Sequence, residues 1–215
     1  MSYLPLFFFF TSLLMSAILH EYAHAWAADK LGDPTAKYAG RLTLDPRKHI
    51  DMWGTILMPL FLFLVSGGSF LFAYAKPVPY NPYNLKDQKW GPVYVAIAGP
   101  LSNFSLALVF GLLIRLTPYL SISKSISEFF AIIVYANVLL GVFNMIPIPP
   151  LDGSKLLYAL LPDSMAHVKE TLERYGFFIL LIFIFSFSRI VFPIILKTYG
   201  LFTNQAFYLL ENLFF

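Results

Sequence analysis

Long uncharged stretches alternate with short polar ones along the whole chain. Residues 3–28 carry no ionisable group other than Glu21, Tyr side chains, His20 and His24, and residues 90–114, 129–151 and 175–196 repeat the apolar pattern, with Arg189 in the last. Each stretch is long enough for a helix to cross a hydrocarbon core about 30 Å thick. A fifth apolar stretch, 53–75, is interrupted by "SGGS" at 66–69. The connecting segments are of different kinds. Within the polar segment 29–51, "KYAGRLTLDP" alternates polar and apolar positions and is rich in β-formers, which predicts a short strand over 38–45. Residues 76–84, "KPVPYNPYN", form a proline-rich loop, and 153–174 is a polar segment with helical character. The tail, "YGLFTNQAFYLLENLFF" (199–215), is aromatic and weakly polar, so it is expected to form a helix lying at the membrane interface.

Composition agrees with this pattern. Hydrophobic residues make up 58% of the 215 positions and charged residues 13%, about half the charged share of a soluble domain; the mean hydropathy is +0.69. The expected architecture is an all-α polytopic membrane protein forming one membrane-embedded domain over 1–215. The net charge of +3 is therefore no sign of a nucleic-acid partner; what matters is where the basic residues fall. If 53–75 is re-entrant, turning at 66–69, the loops 29–51, 76–89 and 153–174 share one face. That face then holds Lys30, Lys37, Arg41, Arg47, Lys48, Lys76, Lys86, Lys89, Lys155, Lys169 and Arg174, eleven of the fifteen Lys and Arg. The excess marks it as cytoplasmic. The expectation is thus about four transmembrane helices, one re-entrant element, a short cytoplasmic β-strand or hairpin and a C-terminal interfacial helix, in the plasma membrane. The first apolar stretch lacks a basic leader and a small-residue cleavage site, so it is expected to be retained.

The first span contains "HEYAH". His20 and His24 are four apart, so a helix puts both imidazoles on one face, within reach of one metal ion. Glu21 sits about 100° around the helix, poorly placed as a ligand on that face but able to reach a metal-bound water. This is the H-E-x-x-H arrangement of zinc metalloproteases, and the bilayer sharpens the signal, because an unpartnered intramembrane carboxylate costs several kcal/mol. A catalytic zinc needs a third protein ligand. The chain has no cysteine, so that ligand must be Asp, Glu or a further His. "NMIPIPPLDG" supplies Asp152 in backbone broken by Pro147, Pro149 and Pro150, as irregular backbone at membrane depth must be when it lines a cavity. Counting about 1.5 Å per residue from Tyr3 places His20 about 25 Å along the first span, near the inner leaflet, where Asp152 also arrives.

With both motifs in hand, the chain resembles the site-2-type intramembrane zinc metalloproteases. "HEYAH" matches the first family motif, "NMIPIPPLDG" the second and "AGPLSNF" (98–104) a third; "GRLTLDP" and "KPVPYNPYNL" are similar to the short prokaryotic branch, which lacks PDZ and nucleotide-sensing domains. The likeness covers residues 18 to about 160. It implies one Zn²⁺ held by His20, His24 and Asp152, Glu21 as general base, and hydrolysis of membrane-spanning peptide substrates within or near the bilayer. It also places Asn144 and Asn103 at positions associated with substrate or transition state. The strand at 38–45 is expected to hold an unwound substrate by β-addition.

The competing class is a membrane metal or proton transporter using the same His, Glu and Asp residues. Such a pathway needs further titratable groups along several helices, whereas here they gather at one depth. His49 and His167 read as exposed loop histidines, Asp45 and Asp51 as turn or cap residues, and Gly99 as a helix-packing position.

Overall fold

The computed structural model describes residues 4–65, 76–185 and 187–204. In chain order they form α1 (Leu4–Leu31), the single turns α2 (Thr35–Tyr38) and α3 (Pro46–His49), a π-helical turn Met52–Leu57 that runs into α4 (Met58–Val65), then α5 (Gly91–Leu120), α6 (Lys124–Asn144), α7 (Gly153–Leu160), α8 (Ala166–Phe185) and α9 (Phe187–Thr203).

Three helices, α1, α5 and α6, are long and apolar enough to cross a membrane. They pack on one another through small side chains. Ser12, Ser16, Ala25 and Ala28 of α1, Gly99, Ala107 and Gly111 of α5, and Ala131, Ala136 and Gly141 of α6 are all buried. Where lipid is as apolar as leucine, close backbone approach drives helix association, and small residues permit it. Large apolar side chains point the other way: Phe7, Leu101, Leu108, Val109 and Leu112 are exposed, a surface suited to acyl chains and not to water. α9 completes the core, with Val191, Ile195 and Tyr199 buried against α5 and α6.

Several expectations are corrected. No strand occurs among the described residues, so neither the strand at 38–45 nor substrate capture along it stands. The backbone there bonds locally: Arg41 N–H donates to Ala36 at 2.8 Å and Asp45 N–H to Thr43 Oγ1 at 3.2 Å, while Gly40 turns the chain at φ +65°. The alternation that suggested a strand instead serves a looped strap in which Arg41 and His49 turn inward. His49 is buried, 1% exposed, and pairs through Nε2 with the Thr43 carbonyl at 2.8 Å, contrary to its reading as an exposed histidine. Asp45 and Asp51 do cap, accepting from the backbone N–H of Arg47 and Gly54.

The fourth expected span, 175–196, is divided between α8 and α9. Lys169, Glu170, Glu173 and Arg174 occupy the first half of α8, and α9 has 17 residues, so neither matches the three long helices. The tail is not wholly interfacial. Residues 199–203 belong to α9, Tyr199 and Thr203 are buried, and Arg115 donates to the Leu201 carbonyl; residues 205–215 lie outside the described residues, as does the turn expected at 66–69. The residues flanking the fifth apolar stretch are described, and they meet. Lys76 N–H donates to the His49 carbonyl at 3.0 Å, and Arg41 Nη2 donates to the Lys76 carbonyl at 2.5 Å. The chain therefore enters and leaves this stretch at the same end of the bundle.

Candidate metal centre

Three long helices bring their site residues to one level. His20 lies eleven residues before the end of α1 and Gly99 eight residues after the start of α5, that is, about 12–16 Å from the same end of the bundle. α6 arrives from the opposite end and stops at Asn144, and residues 145–152 form a compact turn that returns Asp152 to the histidines. Gly153 makes the turn possible, since a Cβ there would stand 2.3 Å from the Met145 carbonyl oxygen.

His20 Nε2 and His24 Nε2 are 3.0 Å apart, and Asp152 Oδ2 lies 3.0 Å from the first and 3.3 Å from the second. Among the described residues these form a group able to hold a metal ion. The outer ring nitrogens fix the protonation. His24 Nδ1 faces the Val95 carbonyl at 2.7 Å, and a carbonyl can only accept, so Nδ1 carries the hydrogen. His20 Nδ1 likewise donates to Asn103 Oδ1 at 2.7 Å. With Nδ1 so engaged, Nε2 is on each ring the nitrogen that faces the Asp152 carboxylate and is left to serve as a metal ligand. Asp152 Oδ2 is buried and receives no hydrogen bond. Two imidazole nitrogens and a carboxylate oxygen this close share a common positive partner, and a divalent cation suits all three. Tetrahedral bonds of about 2.0–2.1 Å to zinc give ligand–ligand separations of about 3.3 Å, so the donor set and its spacing both fit.

The floor of the centre is Gly99. A Cβ there would lie 2.5 Å from His24 Cε1 and Nε2 and 2.6 Å from His20 Cε1. Its role is thus more specific than the helix packing read from the sequence: both imidazoles stand on its bare Cα.

Glu21 points toward the loop that follows the fifth apolar stretch, and its Oε2 accepts from Val78 N–H at 2.9 Å. Glu21, His20, His24, Asp152, Asn144 and Tyr80 line a cavity of about 220 Å³. Burial, then the negative charges of Asp152 and Asp33, push the Tyr80 phenol up, so it stays protonated at neutral pH. The Asn144 side chain donates to Leu140 of its own helix at 3.1 Å. Asn103 is fully buried and lies behind His20, outside the cavity lining. A second depression, along α8, is lined from that helix alone and is an open groove.

Sequence reasoning passed over two contributors, the Val78 backbone amide and the Val95 carbonyl. Main-chain groups leave no residue signature, so only the folded chain reveals them.

Residues 8–120 and 119–186 match peptidase family M50. The chain is 40% identical over 177 residues to YwhC of Bacillus subtilis, assigned as a zinc metalloprotease, a match covering 80% of this chain and 77% of that one. Rip2 of Mycobacterium tuberculosis, assigned likewise, is 29% identical over 172 residues, 80% of this chain and 64% of its own. The zinc metalloprotease MJ0392 of Methanocaldococcus jannaschii is 27% identical over 162 residues, 75% of this chain and 37% of its own. No solved structure matches the chain. The match to the family over most of the chain, on top of the His20–His24–Asp152 cluster at the end of three apolar helices, places this protein in peptidase family M50.

Proposed function

We propose that the chain is a zinc-dependent endopeptidase that cleaves membrane-spanning peptides within or near the bilayer. His20, His24 and Asp152 hold the zinc and Glu21 acts as general base. The observation that carries this reading is the convergence of His20 Nε2, His24 Nε2 and Asp152 Oδ2 within 3.0–3.3 Å of one another. Residues 1–215 serve this single centre as one membrane-embedded domain. The basic loops at the same end as the metal site make that end cytoplasmic.

Zinc, when bound, supplies a Lewis acid that polarises the scissile carbonyl and acidifies water. Glu21 takes the proton of the attacking water on its carboxylate and delivers it to the leaving amine nitrogen. The Val78 amide holds that carboxylate in place. Asn144, released from Leu140, donates to the oxyanion. Pro77, Val78, Tyr80, Pro150 and Asp152 wall the cavity. A helical substrate must unwind before its carbonyl can reach this centre, because its amide groups are paired along the helix.

The transporter reading gains nothing from the structure. His20, His24 and Asp152 meet at one depth, and no other group of three metal-ligating residues is found among the described residues.

The test compares zinc content and cleavage of a model membrane-spanning peptide in the wild type, His20→Ala, Asp152→Ala and Glu21→Gln. The two ligand variants should lose zinc and activity together. Glu21→Gln should keep zinc and lose cleavage. Wild-type zinc content in Asp152→Ala, or undiminished cleavage by Glu21→Gln, overturns the assignment.

A further inference from the structure

Asn137 lies in the middle of α6, 0% exposed, with no place in the chemistry described above. Its side chain is the far end of a hydrogen-bond chain that stops at the metal centre. Asn137 Nδ2 donates to the Ile133 carbonyl at 2.9 Å. Asn137 Oδ1 accepts from Asn103 Nδ2 at 3.1 Å, and the same Asn103 amino group approaches the Ser16 carbonyl at 3.4 Å. Asn103 Oδ1 accepts from His20 Nδ1 at 2.7 Å. Each amide in the chain is fixed by the next. Ile133 can only accept, so Asn137 must present its oxygen to Asn103. Asn103 must then present its amino group to Asn137 and Ser16, which leaves its oxygen for His20. His20 has no choice but to carry its hydrogen on Nδ1.

We infer that Asn137 is a positioning residue for the metal centre: acting through Asn103, it fixes the tautomer and ring angle of His20 so that Nε2 faces His24 and Asp152. This rests on the zinc reading above. The chain crosses three helices, α6 to α5 to α1, so it also ties the ligand to the packing of the spans. The partner on the unligated nitrogen of a metal-binding histidine sets ring orientation and basicity, and losing such a partner costs about 10–100-fold in metal affinity. Without the Asn137 acceptor, Asn103 is free to rotate and offer its amino group to His20. That would favour a hydrogen on Nε2, the wrong nitrogen for a ligand.

The experiment measures zinc affinity of the purified full chain by competition with a chelator, together with the visible spectrum of the cobalt-substituted protein. Asn137→Leu should bind zinc about 10–100-fold more weakly and show an altered cobalt spectrum. Asn137→Asp should restore near wild-type affinity, because a protonated carboxyl accepts from Asn103 and donates to Ile133 as the amide does. Val138→Ala, buried one residue further along, controls for general loosening: it should lower the unfolding temperature and leave affinity and spectrum unchanged. If Asn137→Leu does not accumulate, Asn137→Ala removes the same acceptor, and nitrogen-15 spectra of the wild-type protein report directly whether His20 is protonated on Nδ1. Wild-type affinity and spectrum in the variant lacking the acceptor, a hydrogen on Nε2 in the zinc-free wild type, or equal loss in Val138→Ala overturns the inference. Failure of the wild type itself to bind zinc refutes the metal reading instead, so the two outcomes are distinct.

Discussion

Val78 donates its backbone N–H to the Glu21 carboxylate at 2.9 Å, joining residues 57 positions apart. A loop residue thereby holds the proposed general base. The loop is held in turn by Asp33, whose carboxylate accepts from Asn81 N–H at 2.6 Å and from Asn84 Nδ2 at 2.9 Å. The base is thus oriented by a chain of contacts that runs outside the helices.

Replacing Val78 by proline removes this donor. A hydrogen bond to a charged group contributes about 1.5–3 kcal/mol, so kcat should fall by about 10–100-fold while zinc content stays at the wild-type level. Metal analysis and cleavage assays on the same sample check this; zinc loss in parallel with activity would show the loop supports the ligands and not the base.

Asp33 gives the loop a pH dependence. Burial alone would raise its carboxyl, but hydrogen bonds from Thr35, Asn84 and Asn81 outweigh it and hold it below the ordinary 3.8. A carboxyl lowered in the folded state contributes stability that is present above its unfolded value and lost as pH falls through the folded one. Hydrogen exchange of the Asn81 and Val78 amides should therefore show a closed loop at neutral pH that opens only well into the acid range. Asp33→Ala should show the open loop at every pH.

Gly99→Ala separates metal binding from folding. Alanine favours a helix over glycine by about 1 kcal/mol, so α5 itself should not weaken. Its methyl group would lie 2.5 Å from the His24 ring, which must move. The expected result is a folded chain with markedly reduced zinc affinity, read by circular dichroism and chelator competition.

Gly153→Ala should behave like Asp152→Ala. The added carbon would meet the Met145 and Ile146 carbonyl oxygens at 2.3 and 2.7 Å, and the turn carrying Asp152 cannot close around it. Zinc content should fall although all three ligands are still encoded.

Asn144→Ala tests the oxyanion role. Removing a donor of this kind costs about 100–1,000-fold in kcat, and zinc binding should not change, because the side chain is hydrogen-bonded to Leu140 and not to the proposed ligands.

By itself the sequence indicated the membrane class, three of the four spans it predicted, and the proposed ligand group His20, His24 and Asp152. Those depend on periodic or local rules: apolar length against bilayer thickness, and His20 and His24 one helical turn apart. Asp152 was legible because three prolines and a glycine break the chain where lipid forbids loose backbone. Local rules failed at 38–45, where alternation resembled a strand but Arg41 and His49 found partners in Lys76 and Thr43 respectively. They failed again at 175–196, where charges in α8 shorten its apolar run, and at 199–203, where α9 packs on α5. Only the tertiary structure decided which groups stand behind His20, His24 and the proposed base. Val95 and Val78 act through their backbones, Gly99 through the side chain it lacks, and Asn103 and Asn137 through a pairing 34 residues apart. Such contacts arise when separate helices are brought to one depth, and no short window of the chain contains both partners.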